Sequence, residues 1–166
     1  MLIESNTIRM QLADEQATPL GLTDAGMQES SAVSFATALV NDQHSHSIVK
    51  KQLVKNGTHS VEEASRSEIE FLQFTVLQQL ADGPVSPSEL ADGYWHQFIL
   101  NTALYTNWCQ RNFGRYLHHR PEPRSVLALR GIPEASSALF RKYFGLRGQM
   151  ANCANGHDCH GDCTVH

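Results

Sequence analysis

Hydrophobic residues recur every three or four positions through the middle of the chain, which is the spacing that gathers side chains on one face of a helix. The segment after Ser60 shows this pattern most clearly. Its apolar positions are Ile69, Leu72, Val76 and Leu80, with Phe71, Phe74 and Leu77 beside them. Ser60 and Glu63 have the S-x-x-E spacing of a capping box, and Gly83-Pro84 is a helix stop signal. The pattern predicts a helix that begins at Ser60 and ends before Gly83.

A second capping pattern opens another predicted helix. Ser86 and Glu89 repeat the S-x-x-E spacing, and Pro87 would occupy the first helical position, where the N–H that proline lacks has no partner anyway. The apolar and aromatic positions that follow continue to Gly114 without a strong break signal. We therefore expect one long helix from Ser86 to Gly114.

Weaker patterns lie on either side of these two helices. From Ser34 to Lys55 the apolar pattern is interrupted at Asn41-Asp42, so the segment is either one helix or two short ones. Residues 118–134 contain three prolines, which is typical of a loop, and a short amphipathic helix is expected at Ser137–Phe144. The run 125–129 is the one weak strand signal.

These elements predict an all-α fold, a small single domain of four or five helices. A chain of 166 residues with 41% hydrophobic residues is long enough to bury one core. We expect an N-terminal arm at residues 1–33 that is partly extended or disordered, a helical domain at 34–150, and a Cys/His-rich tail at 151–166.

The sequence gives no sign of membrane insertion or export. No apolar run approaches the roughly 18 residues that a membrane span requires. The first residues lack the basic and apolar regions of a secretory signal. We therefore expect a cytoplasmic protein without membrane contact, in a compartment where thiols stay reduced.

Charge is distributed unevenly along the chain. Residues 1–92 contain thirteen acidic and five basic residues, whereas residues 111–147 contain eight basic and two acidic ones. Such asymmetry either marks a surface for an acidic partner or reflects pairing between the two halves within the fold. We expect a protein partner and no nucleic-acid partner, because no nucleic-acid motif accompanies the basic residues.

Asp92 and His96 are the first candidate site. They stand four residues apart, so on a helix they share a face and could hydrogen-bond or bind one metal ion together. His118 and His119 follow Gly114, where the chain can turn back toward either face. A core hydrogen bond between Asp92 and His96 is the alternative interpretation. Cys109 is expected to be a buried small hydrophobic residue rather than a nucleophile.

The region around these residues resembles a known family. It has the form D-x-x-W-H-x-x-I-L-x-T-x-x-Y-x-x-W-C-x-x-x-F-G-x-x-L-H-H-x-P, which begins at Asp92 and ends at Pro121. This pattern is similar to the signature of the glycine-rich-domain-containing-protein-like family, found in short bacterial and longer plant proteins. FRKYFG at 140–145 resembles a second block of the same family. The resemblance implies a small bacterial protein, but it implies no particular reaction.

The tail is the second candidate site. It concentrates six metal-ligand side chains in fourteen positions: Cys153, His157, Cys159, His160, Cys163 and His166. Thiolates and imidazoles are the ligands that zinc prefers, and copper or iron are alternatives. In a reducing compartment such a cluster indicates metal binding before it indicates disulfides.

Three functions are consistent with these features. The leading one is a metal-binding accessory or interaction protein whose tail binds zinc. The second is a small metal-dependent enzyme in which Asp92, His96 and either His118 or His119 hold the ion, so whether the protein is an enzyme stays open. The third is an adaptor that docks an acidic partner on the basic 111–147 surface. The sequence does not indicate a small-molecule substrate.

Overall fold

The computed structural model describes residues 18–145, and these form a helical domain without strands. A 3-10 turn at Pro19–Gly21 precedes the helices. They are α1 (Asp24–Met27), α2 (Ser30–Asn41), α3 (Gln43–Lys55), α4 (Val61–Leu80), α5 (Glu89–Leu100), α6 (Thr102–Phe113), α7 (Arg124–Leu129) and α8 (Ile132–Phe144). The prediction of a small, single, all-α domain is confirmed. The tail at 151–166 lies outside the described residues.

The described residues contain eight helices, whereas the sequence predicted four or five. The differences lie in four segments. The 34–55 pattern forms two helices, and the predicted 86–114 helix is divided. Residues 125–129, the weak strand signal, lie in α7. The predicted arm includes α1 and the start of α2, and both pack on the domain because Leu22, Gly26 and Ala32 are buried. Within residues 18–145, no helix has the length and apolar character to cross a membrane.

Helix α4 lies at the centre of the domain and contacts α2, α3, α5 and α8. The predicted capping box at its start is confirmed. The Glu63 N–H donates to Ser60 Oγ at 3.1 Å, and the Ser60 N–H donates to a Glu63 carboxylate oxygen at 2.8 Å. Because α4 is covered on several sides, Phe71, Phe74 and Leu77 are all fully buried. Ile69, predicted to lie on the apolar face, is instead 47% exposed.

The start of α5 differs from the prediction by two residues. Ser88, not Ser86, is the N-cap, and its Oγ accepts from the Ala91 N–H at 2.7 Å. The same hydroxyl donates to Glu70 on α4 at 2.7 Å. This second contact explains the shift, because Ser88 satisfies both the helix end and a buried carboxylate. Ser86 is used elsewhere, where its N–H donates to Ser136 of α8.

The predicted continuous helix is broken at Asn101, which has φ −89° and ψ 65°. Its side-chain amide pairs reciprocally with Gln52 of α3, at 2.7 and 2.9 Å, and also donates to the Gln97 carbonyl at 3.0 Å. An asparagine whose side chain satisfies nearby backbone and amide groups can leave the helical conformation at low cost. The prediction of one continuous helix was wrong. The pairing of Asn101 with Gln52 depends on the tertiary fold, and a local sequence pattern does not reveal it.

A histidine lies inside the aromatic core of the domain. His46 of α3 is 1% exposed and its ring contacts Phe98 and Trp108 edge-on. Its Nδ1 lies 2.8 Å from the Tyr94 hydroxyl, and its Nε2 has no hydrogen-bond partner among the described residues. Burial lowers the pKa of His46 to about 4; Asp42 opposes this shift and Lys50 adds to it. His46 is therefore neutral in the folded protein at neutral pH.

Candidate metal centre

Asp92 and His96 of α5 meet His119, which follows α6 in the loop before α7. One potential ligand atom from each lies within 4.8 Å of the other two. A carboxylate oxygen of Asp92 is 2.6 Å from His119 Nε2, and the two imidazole rings are 4.4 Å apart between centroids. Asp92 and His119 are 27 residues apart in the sequence, so the tertiary fold brings His119 to the pair on α5.

The helix orients His96. Its Nδ1 lies 2.8 Å from the Asp92 carbonyl oxygen and 3.3 Å from an Asp92 carboxylate oxygen. A carbonyl oxygen only accepts hydrogen bonds, so Nδ1 carries the proton and Nε2 has the free lone pair. The predicted proximity of Asp92 and His96 follows from their spacing of four. The His96 side chain is 57% exposed, so the structure places this pair at the surface and not in the core.

A hydrogen-bonded aromatic support holds His119 in place. Trp95 packs edge-on against the His119 ring at 4.5 Å, and its Nε1 donates to the Tyr105 hydroxyl at 2.7 Å. Tyr105 in turn donates to the Leu117 carbonyl at 2.6 Å. Burial raises the pKa of Tyr105, so its hydroxyl keeps the proton that it donates. The backbone two residues before His119 is thus tied to α5.

The break at Asn101 makes this support possible. Trp95 and Tyr105 are ten residues apart, a distance of about 15 Å along a straight helix. Because the chain changes direction at Asn101, the two side chains meet across the junction of α5 and α6. At the far end of α6, Gly114 adopts a left-handed conformation with φ 64° and turns the chain back toward α5. Sequence reasoning did not identify this arrangement, although Trp95 and Tyr105 both stand in the family-like pattern.

The remaining candidates of this region lie apart from the cluster. His118 is exposed and packs against Tyr116 at 4.8 Å, so the two adjacent histidines are not equivalent. The prediction that Cys109 is buried is confirmed, and burial raises the pKa of its thiol. The tail candidates, from Cys153 to His166, lie outside the described residues and stay a prediction.

The basic segment makes few internal ion pairs among the described residues. Arg111 pairs with Asp42 at 2.8 Å, and within residues 18–145 no other basic residue of the segment forms an ion pair with the acidic half. Arg130 pairs with Glu122 inside the segment itself. Among the residues that the structure describes, one ion pair joins the two halves, and both interpretations of the charge asymmetry stay predictions.

Comparison with known proteins assigns the chain to a family. The UCP032817-like family matches residues 36–154, which include every helix from α3 to α8 and all three residues of the cluster. This match bears neither for nor against the resemblance to the glycine-rich-domain-containing-protein-like family. No curated protein and no solved structure matches the chain significantly. Because the match covers well over half of the sequence, the chain belongs to the UCP032817-like family.

Proposed function

We propose that this protein binds a divalent transition-metal ion through Asp92, His96 and His119, and that it serves as a metal-binding accessory protein. The carrying observation is the approach of three ligand-type atoms to within 4.8 Å of one another. Two imidazoles with one carboxylate form a donor set that zinc uses, and the same set with open positions suits iron(II). We favour zinc, with iron or copper as alternatives.

The contact between Asp92 and His119 fits a shared ion after a small adjustment. Zinc–ligand distances of about 2.0–2.2 Å place the ligand atoms of a tetrahedral site roughly 3.4 Å apart. Asp92 and His119 are closer, at 2.6 Å, because a proton joins them. The ion would replace this proton, which leaves to solvent, while the carboxylate moves outward by less than about 1 Å.

The groups around the site support the proposal. The Asp92 carbonyl holds the His96 ring through Nδ1, as the outer partner of a metal-bound histidine usually does. Trp95 and the Tyr105–Leu117 bond fix the ring and the backbone near His119. Such pre-set ligands lose little conformational freedom when an ion binds. The cysteines of the tail would form a second, separate zinc site.

A metal-dependent enzyme is the second candidate, and exposure of the site favours it. The His96 side chain is 57% exposed and that of Asp92 is 39% exposed. Three protein ligands leave a fourth position for water, and a metal-bound water is a nucleophile at neutral pH. An accessory metal site that only stores or stabilises does not need this open position.

The decisive experiment uses the full-length chain. Metal content after purification without added metal is measured by elemental analysis, and the metal-free protein is then titrated with Co²⁺ while its visible absorption is recorded. His96→Ala and His119→Ala should each weaken Co²⁺ binding by more than roughly 100-fold. This loss is larger than the loss of about 10- to 100-fold that follows removal of a residue that only hydrogen-bonds to a metal ligand. His118→Ala is the matched control and should bind normally. Unchanged binding in the first two variants would contradict the proposal.

Two further measurements separate the alternatives. A truncation after Met150 removes the whole Cys/His tail and with it any thiolate-to-cobalt charge-transfer band. The cobalt signal that persists in the truncated chain and is lost when His96→Ala is added belongs to Asp92, His96 and His119. Azide is then added to the cobalt-loaded protein. A shift of the visible bands demonstrates an open coordination position and favours the enzyme. An unchanged spectrum counts against it.

A further inference from the structure

A cleft of about 640 Å³ lies where α7, α8 and the start of α5 meet. The start of α5 is joined to α8 at this cleft, because the Ser86 N–H donates to Ser136 Oγ at 2.8 Å. Helices α7 and α8 supply an apolar lining: Leu127, Ala128, Pro133, Ala138 and Phe140. Ligand pockets have volumes of about 300–1,000 Å³ and combine a mostly apolar lining with a few polar groups. The cleft therefore has the size and lining to hold a small organic molecule.

Four charged side chains line the cleft, two of each sign. They are Glu89, Arg124, Glu134 and Arg141. No ion pair within residues 18–145 includes any of the four. Outside the cleft, by contrast, Arg130 pairs with Glu122 at 2.8 Å. The cleft thus presents both signs of charge without pairing them with each other.

The positions of these residues along the helices separate the two signs. Glu134 and Arg141 are seven residues apart on α8, so they share a face and are separated by about 10 Å of helix rise. Glu134 lies next to the turn that joins α7 to α8, and the start of α5, with Glu89, is bonded to α8 closer to Glu134 than to Arg141. Arg124 is the first residue of α7, so both arginines are remote from this turn along their helices. The cleft is therefore acidic near the turn and basic farther from it.

Helix α7 has little packing of its own. It has six residues, none of them is buried, and no side chain caps its N-terminus. A helix this short is marginal in water without packing partners. Leu127 is half-buried and lines the cleft together with Ala128. A molecule between α7 and α8 would bury apolar surface of α7 that the described domain leaves accessible.

We propose that this cleft binds a short peptide of about three residues with free termini. An extended tripeptide spans about 10 Å, which matches the separation of the opposite charges. Its carboxylate contacts Arg124 and Arg141, since guanidinium groups match carboxylates in geometry as well as in charge. Its ammonium group contacts Glu134, and its middle side chain packs on the apolar lining. None of the three residues of the candidate metal centre lines the cleft, so this site is independent of the proposed metal function.

The test is a titration of the isotope-labelled full-length chain with the tripeptide Ala-Leu-Ala, followed through amide chemical shifts. We expect saturable shifts at α7 and α8, with a Kd of about 1 mM or below. Acetylation of the peptide amine and amidation of its carboxylate should each weaken binding by about two- to fivefold, the range for exposed ion pairs. Absence of saturation at about 10 mM, or shifts that map outside α5, α7 and α8, would overturn the proposal.

Charge-removing variants identify the two ends of the peptide. Glu89→Gln combined with Glu134→Gln should lose the preference for a free amine and keep the preference for a free carboxylate. Arg124→Gln combined with Arg141→Gln should show the opposite change. Arg130→Gln, which lies outside the cleft, is the matched control and should bind all three peptides like the wild type. If both double variants lose the same preference, or neither loses any, the assigned orientation and the proposal are wrong.

Two further variants test the place of binding. Ala138→Trp puts a large side chain into the cleft from an exposed position, so it should weaken Ala-Leu-Ala binding at least about fivefold with little change in the urea midpoint. His119→Ala should bind the peptide like the wild type. A loss in His119→Ala would place the peptide amine on a metal ion at that centre, and unchanged affinity in Ala138→Trp would place it outside the cleft. Either result would contradict the proposal.

Discussion

Mild acid should destabilise this protein through His46, and the change is predictable from the environment of its ring. The ring is 1% exposed, lies among aromatic side chains and has a pKa of about 4, against an ordinary value of 6.5. Between these two values the unfolded chain binds a proton that the folded chain does not. The contribution of His46 to stability is therefore complete above about pH 6.5 and is lost as the pH falls to about 4.

The size of this effect follows from the two pKa values. Each pH unit between them is equivalent to about 1.4 kcal/mol, so the full loss is about 3–4 kcal/mol, of which roughly 2 kcal/mol accrues by pH 5. A domain of this kind is stabilised by only about 5–15 kcal/mol. Acidification to pH 5 should therefore lower the urea midpoint clearly, before most carboxylates begin to bind protons.

Urea unfolding at pH 7 and pH 5 tests this reasoning, with circular dichroism as the signal. His46→Gln retains a group that can hydrogen-bond to Tyr94 but does not titrate, so its free energy of unfolding should fall by about 2 kcal/mol less than that of the wild type over this interval. His44→Gln, at an exposed position on the same helix, should behave like the wild type. Equal pH dependence in the wild type and His46→Gln would refute the assignment to His46.

Three further substitutions test the support of the site and the helix ends. Tyr105→Phe leaves the Trp95 N–H and the Leu117 carbonyl unpaired, so it should cost about 1–3 kcal/mol in urea unfolding and weaken Co²⁺ binding about tenfold; unchanged cobalt affinity would show that the hydroxyl does not position His119. Ser88→Ala removes an N-cap and should cost about 1–2 kcal/mol, measured by thermal unfolding, with a loss below 0.5 kcal/mol contradicting the assigned cap. Gly114→Ala forces a side chain into a left-handed conformation and should cost about 1 kcal/mol with a reduced cobalt affinity, whereas a stabilised variant would contradict the described turn.

What the sequence predicted correctly is local in origin. The Ser60–Glu63 capping box depends on residues three positions apart, and the proximity of Asp92 and His96 depends on residues four positions apart. In both cases a single turn of helix brings the groups together. The all-α class follows from the same short-range periodicity, summed over several segments.

The errors arose where distant residues decide the conformation. Asn101 leaves the helix because Gln52, 49 residues away, pairs with its side chain. Ser88 is the N-cap because its hydroxyl also donates a hydrogen bond to Glu70, which lies on the neighbouring helix α4. Which of the two histidines approaches Asp92 and His96 depends on the helix break at Asn101 and on the turn at Gly114. The sequence pattern therefore left both His118 and His119 as candidates. The burial of His46 was not predicted either, although its spacing from the apolar Val49 and Leu53 places it on the same helix face.

The junction of α5 and α6 also links the candidate metal site to the contact between Asn101 and Gln52. The angle between these helices is set on one side by the amide pair of Asn101 and Gln52, and on the other by the Trp95–Tyr105 bond that leads to His119. We therefore expect a metal ion that fixes His119 to stiffen the junction at Asn101, which it does not contact. Amide hydrogen exchange at the junction should slow when metal binds, and replacing Gln52 should make the distant site more compliant. These two measurements would show whether the proposed metal ion stabilises the junction of α5 and α6.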